Sequence, residues 1–560
     1  QDFCSLNGIM KTKNTWWKEG VVYQIYPRSF NDSNNDGIGD IRGIIEKLDY
    51  IKSLGVDIIW ICPVYRSPND DNGYDVSDYR NIIDEFGTMG DFDELLKGIH
   101  ARGMRLLMDL VANHSSDEHH WFQEARKSKD NPYRDYYFWK RSNNGSLPTN
   151  WPSFFGGDTW EYYAATEDYY LHLFTKKQPD LNWEISKFMH FIFDNINFMF
   201  EKGIDVYLMD VISLISIRLD FEITLSDDLG EVVEQYYANG PRIHEYLQEM
   251  NHEVLSKYDI MTVGEGPGIT LENGLDYVAE DRNELNMIFH FDHMFMDNGP
   301  GGRLDPVDYD LVQFKKVFSD WDQTLKEKGW NGIFLGNHDF SRMVSRFGND
   351  KEYHQESAKL LAMLLLTLRG TTYIYQGDEI GMTNVAFDTI SDYRDVETLQ
   401  LWKMAKEEGR NMDQVLTAVH RQSRDNARTP MQWSSAGNSG FSDAEPWIKV
   451  NSNYDSINVA EQEKDGGSVL SFYRSMIKYR KANKTLVYGD YKCIHPDHEQ
   501  LYMFERWDEE SGFMVVLNMS NEMVVVDELN NIQGRIEITN YSQSNTDNHL
   551  RPWEARLHKL

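Results

Sequence analysis

Four apolar segments of this chain each run into a residue of catalytic type, and that repetition narrows the available folds more than any other feature. Gly203 to Asp210 reads G-I-D-V-Y-L-M-D; M-R-L-L-M-D-L-V-A-N-H leads to His114, I-M-T-V-G-E to Glu265 and G-I-F-L-G-N-H-D to Asp339. A parallel strand buried on both faces is apolar throughout, so a polar residue at its end is lifted out of the core at the sheet's carboxyl edge. A single strand-end Asp is most simply a capping or turn residue. Four such ends are better explained by a closed parallel barrel, whose strand ends share one mouth.

The rest of the chain keeps the same beat. Val21 to Phe30 is β-branched and aromatic and reads as strand one; Ile41, Ile44, Ile45, Leu48, Ile51 and Leu54 recur at helical spacing up to Gly55. V-D-I-I-W-I-C-P-V-Y is strand two, Asp91 to Gly103 a helix, and the segment ending at His114 strand three. Residues 115–184 lose the alternation and become charged, Trp/Tyr-rich and Pro/Gly-punctuated, too long for a bare loop and so an inserted subdomain. A helix near 186–202 and strands four to eight follow, the last at T-Y-I-Y-Q-G-D-E. An irregular charged region runs to about 450, then a helix over 468–483 and a series of short strands. The expected architecture is α/β: a (β/α)8 barrel from 1–114 and 185–488, the insertion at 115–184 after strand three, and an all-β domain at 489–560.

Composition excludes several function classes. With 56 Lys plus Arg against 90 Asp plus Glu, the formal charge of −34 repels phosphate backbones and anionic lipid, so neither nucleic acid nor a membrane is an expected partner. No apolar run approaches the roughly 18 residues of a membrane span. Cys4, Cys62 and Cys493 are scattered without metal or redox spacing, and the opening Q-D-F-C-S-L-N-G-I-M lacks a signal pattern, which together favour a cytoplasmic address. No glycine-rich phosphate loop follows a strand, so no organic cofactor is expected, and His114 and His338 lack the tight spacing of a catalytic metal pair. D-S-N-N-D-G-I-G-D does place oxygen ligands at Asp32, Asn34, Asp36, the Ile38 carbonyl and Asp40, like the first part of a calcium loop, although position 12 is Gly43 rather than Glu. A structural Ca2+ or a hydrated turn both fit.

Carboxyls on neighbouring strand ends suit glycoside hydrolysis, in which one attacks as the anion while the other donates a proton. Asp210, short and rigid, fits the nucleophile; Glu265 has the longer reach of a proton donor; Asp339 fits a transition-state stabiliser, with His114 and His338 as hydrogen-bond donors to substrate hydroxyls.

D-N-G-Y-D, D-L-V-A-N-H, Q-P-D-L-N-W, V-G-E-G-P-G, N-H-D, Y-Q-G-D-E-I-G-M-T-N and R-D-N-A-R-T-P-M-Q-W occur in order along nearly the whole chain. In these motifs it resembles the α-amylase family of glycoside hydrolases, in its oligo-1,6-glucosidase, dextran glucosidase and sucrose isomerase branch. The resemblance implies Asp210 as nucleophile, Glu265 as acid/base and Asp339 as stabiliser. It also implies Asp71 paired with Arg428 around a non-reducing glucose, Tyr74 stacked on its ring, His114, Phe155 and His338 lining the subsite, and calcium held by the loop from Asp32 to Asp40. The implied substrate is an oligosaccharide or disaccharide cleaved from its end.

Two departures bear on activity. Leu208 stands where the family carries an arginine, and leucine can neither neutralise the nucleophile nor bond a sugar hydroxyl. Val211 resembles the α-1,6-preferring type, and Phe291 to Asp305 lacks the Arg-Asp-rich loop of sucrose isomerases. The expected activity is a retaining exo-α-glucosidase on isomaltose-type substrates. Transglucosylation, as in a sucrose isomerase, is the alternative, and a catalytically impaired sugar-binding relative a third reading.

Overall fold

Eight short, largely apolar strands, buried throughout except at Arg105, are laid parallel in chain order around one core. They are β1 Val21–Ile25, β2 Ile58–Ile61, β3 Arg105–Val111, β4 Val206–Asp210, β5 Met261–Glu265, β6 Met287–Phe289, β7 Gly332–Ile333 and β8 Thr371–Tyr375. The computed structural model describes residues 16–142, 144–532, 534–543 and 546–560; Cys4 and the first ten residues lie outside them. Ladders join each strand to the next from β1 to β6, β7 to β8, and β8 back to β1. One parallel bridge, Ile288 with Asn331, completes the ring between β6 and β7.

Helices cover the outside because their apolar residues fall on one stripe. Over Ser186–Lys202 the buried set is Phe188, Met189, Ile192, Phe193, Ile196, Met199 and Phe200, at three- and four-residue spacing. Gly203 ends that helix at φ 108°, a left-handed turn that releases the chain into β4. Thr88 and Asp91 form a capping box on the helix Met89–Ala101.

Some elements differ from expectation. The helix expected over 41–54 is two pieces, Ile41–Glu46 and Leu48–Ser53, parted at Lys47 (φ −103°, ψ 4°). Strand two stops at Ile61; after Pro63, Tyr65–Arg66 leaves the barrel to pair with Asp78–Ile82, which presents the loop carrying Asp71 and Tyr74. Strand seven keeps only Gly332–Ile333 in the ladder, and the chain beyond it bends across the mouth with His338 and Asp339. The region expected to be irregular after Tyr375 holds the helices Val396–Glu407, Met412–Gln422 and Asp425–Arg428. Asp395 and Asn411 cap the first two, and in the second Val415, Ala418 and Val419 recur at helical spacing although no helix was expected there.

Within 115–184, Trp139–Lys140, Trp160–Tyr163 and Asp168–Leu171 form a three-stranded antiparallel sheet, stitched to the barrel by the bridge between His114 and Asp180. From Asp490 onward five antiparallel strands form a second sheet, with the pair Val524–Val525 and His549–Leu550 beside it. Among the described residues no helix is long and apolar enough to cross a membrane.

Candidate active site

The period-two alternation of β4 turns Leu208 and Asp210 toward the barrel axis. Register then sets two layers. Leu208 lies level with Asp109 on β3 and with Val263 on β5. One layer nearer the mouth, Asp210 lies level with Val111, and Glu265 ends β5 beside it, just past the pair Gly264 and Met209. Asp210 is 7 % exposed and Glu265 4 %, so both are almost enclosed by protein at the barrel's carboxyl end.

The two carboxyls meet in a direct hydrogen bond. Burial, and then the negative charge around each, pushes both above the ordinary carboxyl range, so the pair holds a proton between them. Glu265 also accepts from the backbone N–H of Val211. Val211 sits at φ 38°, ψ 41°, a left-handed conformation unusual for a β-branched residue, and this turn aims its amide at Glu265.

Asp339 lives in the opposite environment. Arg424 Nη1 reaches its Oδ1 at 3.1 Å, Arg428 Nη2 at 3.2 Å, and His338 Nε2 lies 3.3 Å from Oδ2. His338 and the two guanidiniums outweigh burial and hold this carboxyl down to about 2. The pocket thus contains carboxyls of both kinds, one ionised at any working pH and two that share a proton.

Sequence reasoning paired Asp71 with Arg428; the structure corrects the partner to Arg424. Arg424 donates to Asp71 Oδ1 (3.0 Å), Asp395 Oδ1 (2.7 Å) and Asp339, while its guanidinium carbon lies 4.6 Å from the centre of the Phe155 ring. Arg428, at the other end of the short helix Asp425–Arg428, is turned instead toward the His338 carbonyl (3.0 Å) and Asp339. Both arginines stand in the R-D-N-A-R motif, so the signal was there and only the choice between them was not. Asp395, buried in the polar region where no helix was expected, carried no such signal.

Tyr74 lies flat against His338, with ring centroids 5.0 Å apart and planes at 6°, and its hydroxyl donates to Asp109 (3.2 Å). Gln24 donates to His338 Nδ1 at 2.9 Å, which leaves the ring proton on Nε2, toward Asp339; burial lowers this imidazole to about 4, so it is neutral. His114, also lowered to about 4 by burial, faces protein on both sides: Nε2 meets the Tyr74 carbonyl (3.0 Å) and Nδ1 the Asn113 amide (3.3 Å). As placed it braces the Asp71 to Tyr74 loop. Gln178, missed by sequence reasoning, joins Asp71 (3.1 Å) to that brace.

The loop from Asp32 to Asp40 offers the hard oxygens calcium prefers. Its carboxylates now serve the turn itself: Asp32 accepts from the amides of Asn34, Asn35 and Gly37 and from Ser442, Asp36 from the Ile38 amide, and Asp40 from Ser33 and, as a helix cap, from Gly43. Among the described residues no three His, Cys, Asp or Glu side chains gather as a metal site. Holding a cation here requires Asp32 and Asp40 to surrender some of those bonds.

Residues 24–489 match the profile of the α-amylase catalytic domain. The chain is 52 % identical to the oligo-1,6-glucosidase of Parageobacillus thermoglucosidasius over 98 % of its length and 99 % of that protein, and 49 % identical to that of Bacillus cereus over 97 % and 99 %. Among solved structures, it is similar to an isomaltulose synthase mutant from Erwinia rhapontici NX5 in complex with sucrose (TM-score 0.94, 43 % identity, 98 % and 99 % covered). It is also similar to a trehalose-6-phosphate hydrolase mutant from Bacillus licheniformis (TM-score 0.92, 43 % identity, 98 % and 100 % covered).

Proposed function

The chain belongs to the α-amylase family and is a glycoside hydrolase, and from that premise we propose that it is a retaining, exo-acting α-glucosidase preferring isomaltose-type α-1,6-glucosides. The observation that carries this is the contact between Asp210 and Glu265 beside the closed end made by Asp71, Arg424 and Asp339. Retaining pairs stand about 5 to 5.5 Å apart, inverting pairs about 6.5 to 9.5 Å because a water must fit between them. Carboxyls in hydrogen-bonding contact leave no room for that water.

In the proposed reaction an oxygen of Asp210 attacks the anomeric carbon and the glycosidic C–O bond breaks. The shared proton, on Glu265 when substrate is bound, passes to the departing oxygen. Water then yields a proton to Glu265, its hydroxyl takes the anomeric carbon, and Asp210 leaves. Asp339, Arg424 and Arg428 bond the terminal glucose hydroxyls, and Tyr74 and Phe155 supply its apolar walls. The pocket's closed end favours one terminal sugar, hence exo-action. The α-1,6 preference is supported by the relatives' names and by Val211 next to the nucleophile. Transfer of the glucosyl group to another sugar is the second reading, favoured by the likeness to an isomaltulose synthase.

The test is incubation with isomaltose, maltose and sucrose while the anomers are followed by NMR. α-Glucose should appear first, fastest from isomaltose. β-Glucose as first product, isomerised sucrose as main product, or unchanged sugars would each reject the proposal.

We also assign a structural Ca2+ to Asp32, Asn34, Asp36, the Ile38 carbonyl and Asp40, on their donor chemistry. A chelator should then lower Tm and leave turnover intact below the new transition; an unchanged Tm rejects the assignment. A cytoplasmic location is our further reading, supported by the free thiols of Cys62 and Cys493.

A further inference from the structure

Asp109 is fully buried, and its two oxygens are unequal. Oδ2 accepts from the Trp60 indole (3.0 Å) and from the Tyr74 hydroxyl (3.2 Å); Oδ1 is sealed from water without a hydrogen-bond partner. Across the ladder stands Leu208, itself fully buried, and Asp210 is two residues farther along the same inward face. The titratable groups facing Asp109 from the surrounding elements are Cys62, Tyr65, Tyr74, Asp210, Glu265 and Asp339, and none of them is a cation. An ionised carboxylate in such a place would be an uncompensated buried charge, beneath a nucleophile that must itself become an anion.

We propose that Asp109 is a positioning residue acting as an uncharged carboxylic acid: it anchors Trp60 and the Tyr74 sugar platform while Leu208 occupies the place of a neutralising cation. A proton on Oδ1 removes the unpaired charge and leaves Oδ2 free to accept both bonds. Burial pushing this carboxyl up to about 8 agrees with that state at neutral pH. The platform follows from it, because Tyr74, held at its hydroxyl, is kept parallel to His338.

The full chain with Asp109→Asn and Asp109→Ala decides the matter, and the thermal arm stands apart from the proposed glucosidase activity. Asparagine is an uncharged isostere, so its Tm relative to the parent should rise steadily between pH 5 and 8, by about 4 °C, and level off above. With isomaltose, Asp109→Ala should raise KM about tenfold with a smaller change in kcat, and Asp109→Asn should recover most of that loss. If the Asp109→Asn Tm shows no such pH trend, or if Asn binds substrate as poorly as Ala, the carboxylate charge is needed and the proposal fails. Absence of turnover in the parent with the Tm trend present would instead reject the glucosidase reading and keep the protonated Asp109.

Discussion

Leu208 is the residue whose chemistry most changes this pocket. Its side chain is fully buried in the layer below Asp210, level with Asp109, so a guanidinium placed there would lie beside both carboxyls. Leu208→Arg should lower the proton affinity of Asp210, shift the acid limb of kcat/KM to lower pH and raise kcat on isomaltose about tenfold, the scale of a charged hydrogen bond made in the transition state. An unchanged or lower kcat in a folded variant would show that the pocket is built around leucine. At this scale the sequence was largely legible. The strand-end pattern marked Asp210, Glu265 and Asp339 as candidates, because several such ends together are harder to explain as caps or turns than one alone. It did not separate Arg424 from Arg428, since both flank one short helical turn and only side-chain direction decides which reaches Asp71.

Elements carry the site by where they stop. Gly203 sits at φ 108° between its helix and β4, and a Cβ there would meet only ordinary contacts, Leu96 at 3.6 Å and His100 at 3.8 Å. Gly203→Ala should therefore cost backbone strain alone, about 1 to 2 kcal/mol in urea unfolding, with KM unchanged; a changed KM would mean that the turn sets the position of Asp210. Long periodic elements were visible in advance, among them Ser186–Lys202 and Val469–Ala482. The helices Val396–Glu407 and Met412–Gln422 were not expected, although Val415, Ala418 and Val419 fall on one face of the second; both begin at side-chain caps, Asp395 and Asn411. Strand seven was overread: G-I-F-L-G-N-H-D is apolar enough for a full strand, yet its second half turns across the barrel mouth.

For the whole molecule, buried titratable groups set the pH at which the fold is strongest. His114, His119, His172 and His338 are pushed down to about 4 by burial. Between their ordinary 6.5 and that value the unfolded chain binds protons the folded one refuses, so stability is lost as pH falls through this window. Asp109 and Asp180, up to about 8, and Asp75 and Asp378, up to about 7, act in reverse. They bind protons in the fold and not in the unfolded chain, so stability is lost as pH rises from about 4 through 7 to 8, by up to roughly 1.4 kcal/mol per pH unit for each group. The two sets oppose each other below pH 6.5, and only the acids act above it. Calorimetry should find Tm nearly level from pH 4.5 to 6.5 and falling from 6.5 to 8; a Tm that climbs to pH 8 would contradict these burials. Long-range stapling was equally invisible beforehand: Lys315 Nζ donates to the carbonyls of His495, His498 and Leu501, and Arg506 to those of Thr367, Leu486 and Gly489, tying the second sheet to the barrel. The amino-acid order by itself pointed to the barrel, the insertion and the candidate carboxyls, because hydrophobic periodicity and strand-end chemistry are local properties of a chain. Only the tertiary structure decided which carboxyls meet, which arginine reaches Asp71 and how deeply each charged group is buried, because those depend on register and burial among residues far apart in sequence.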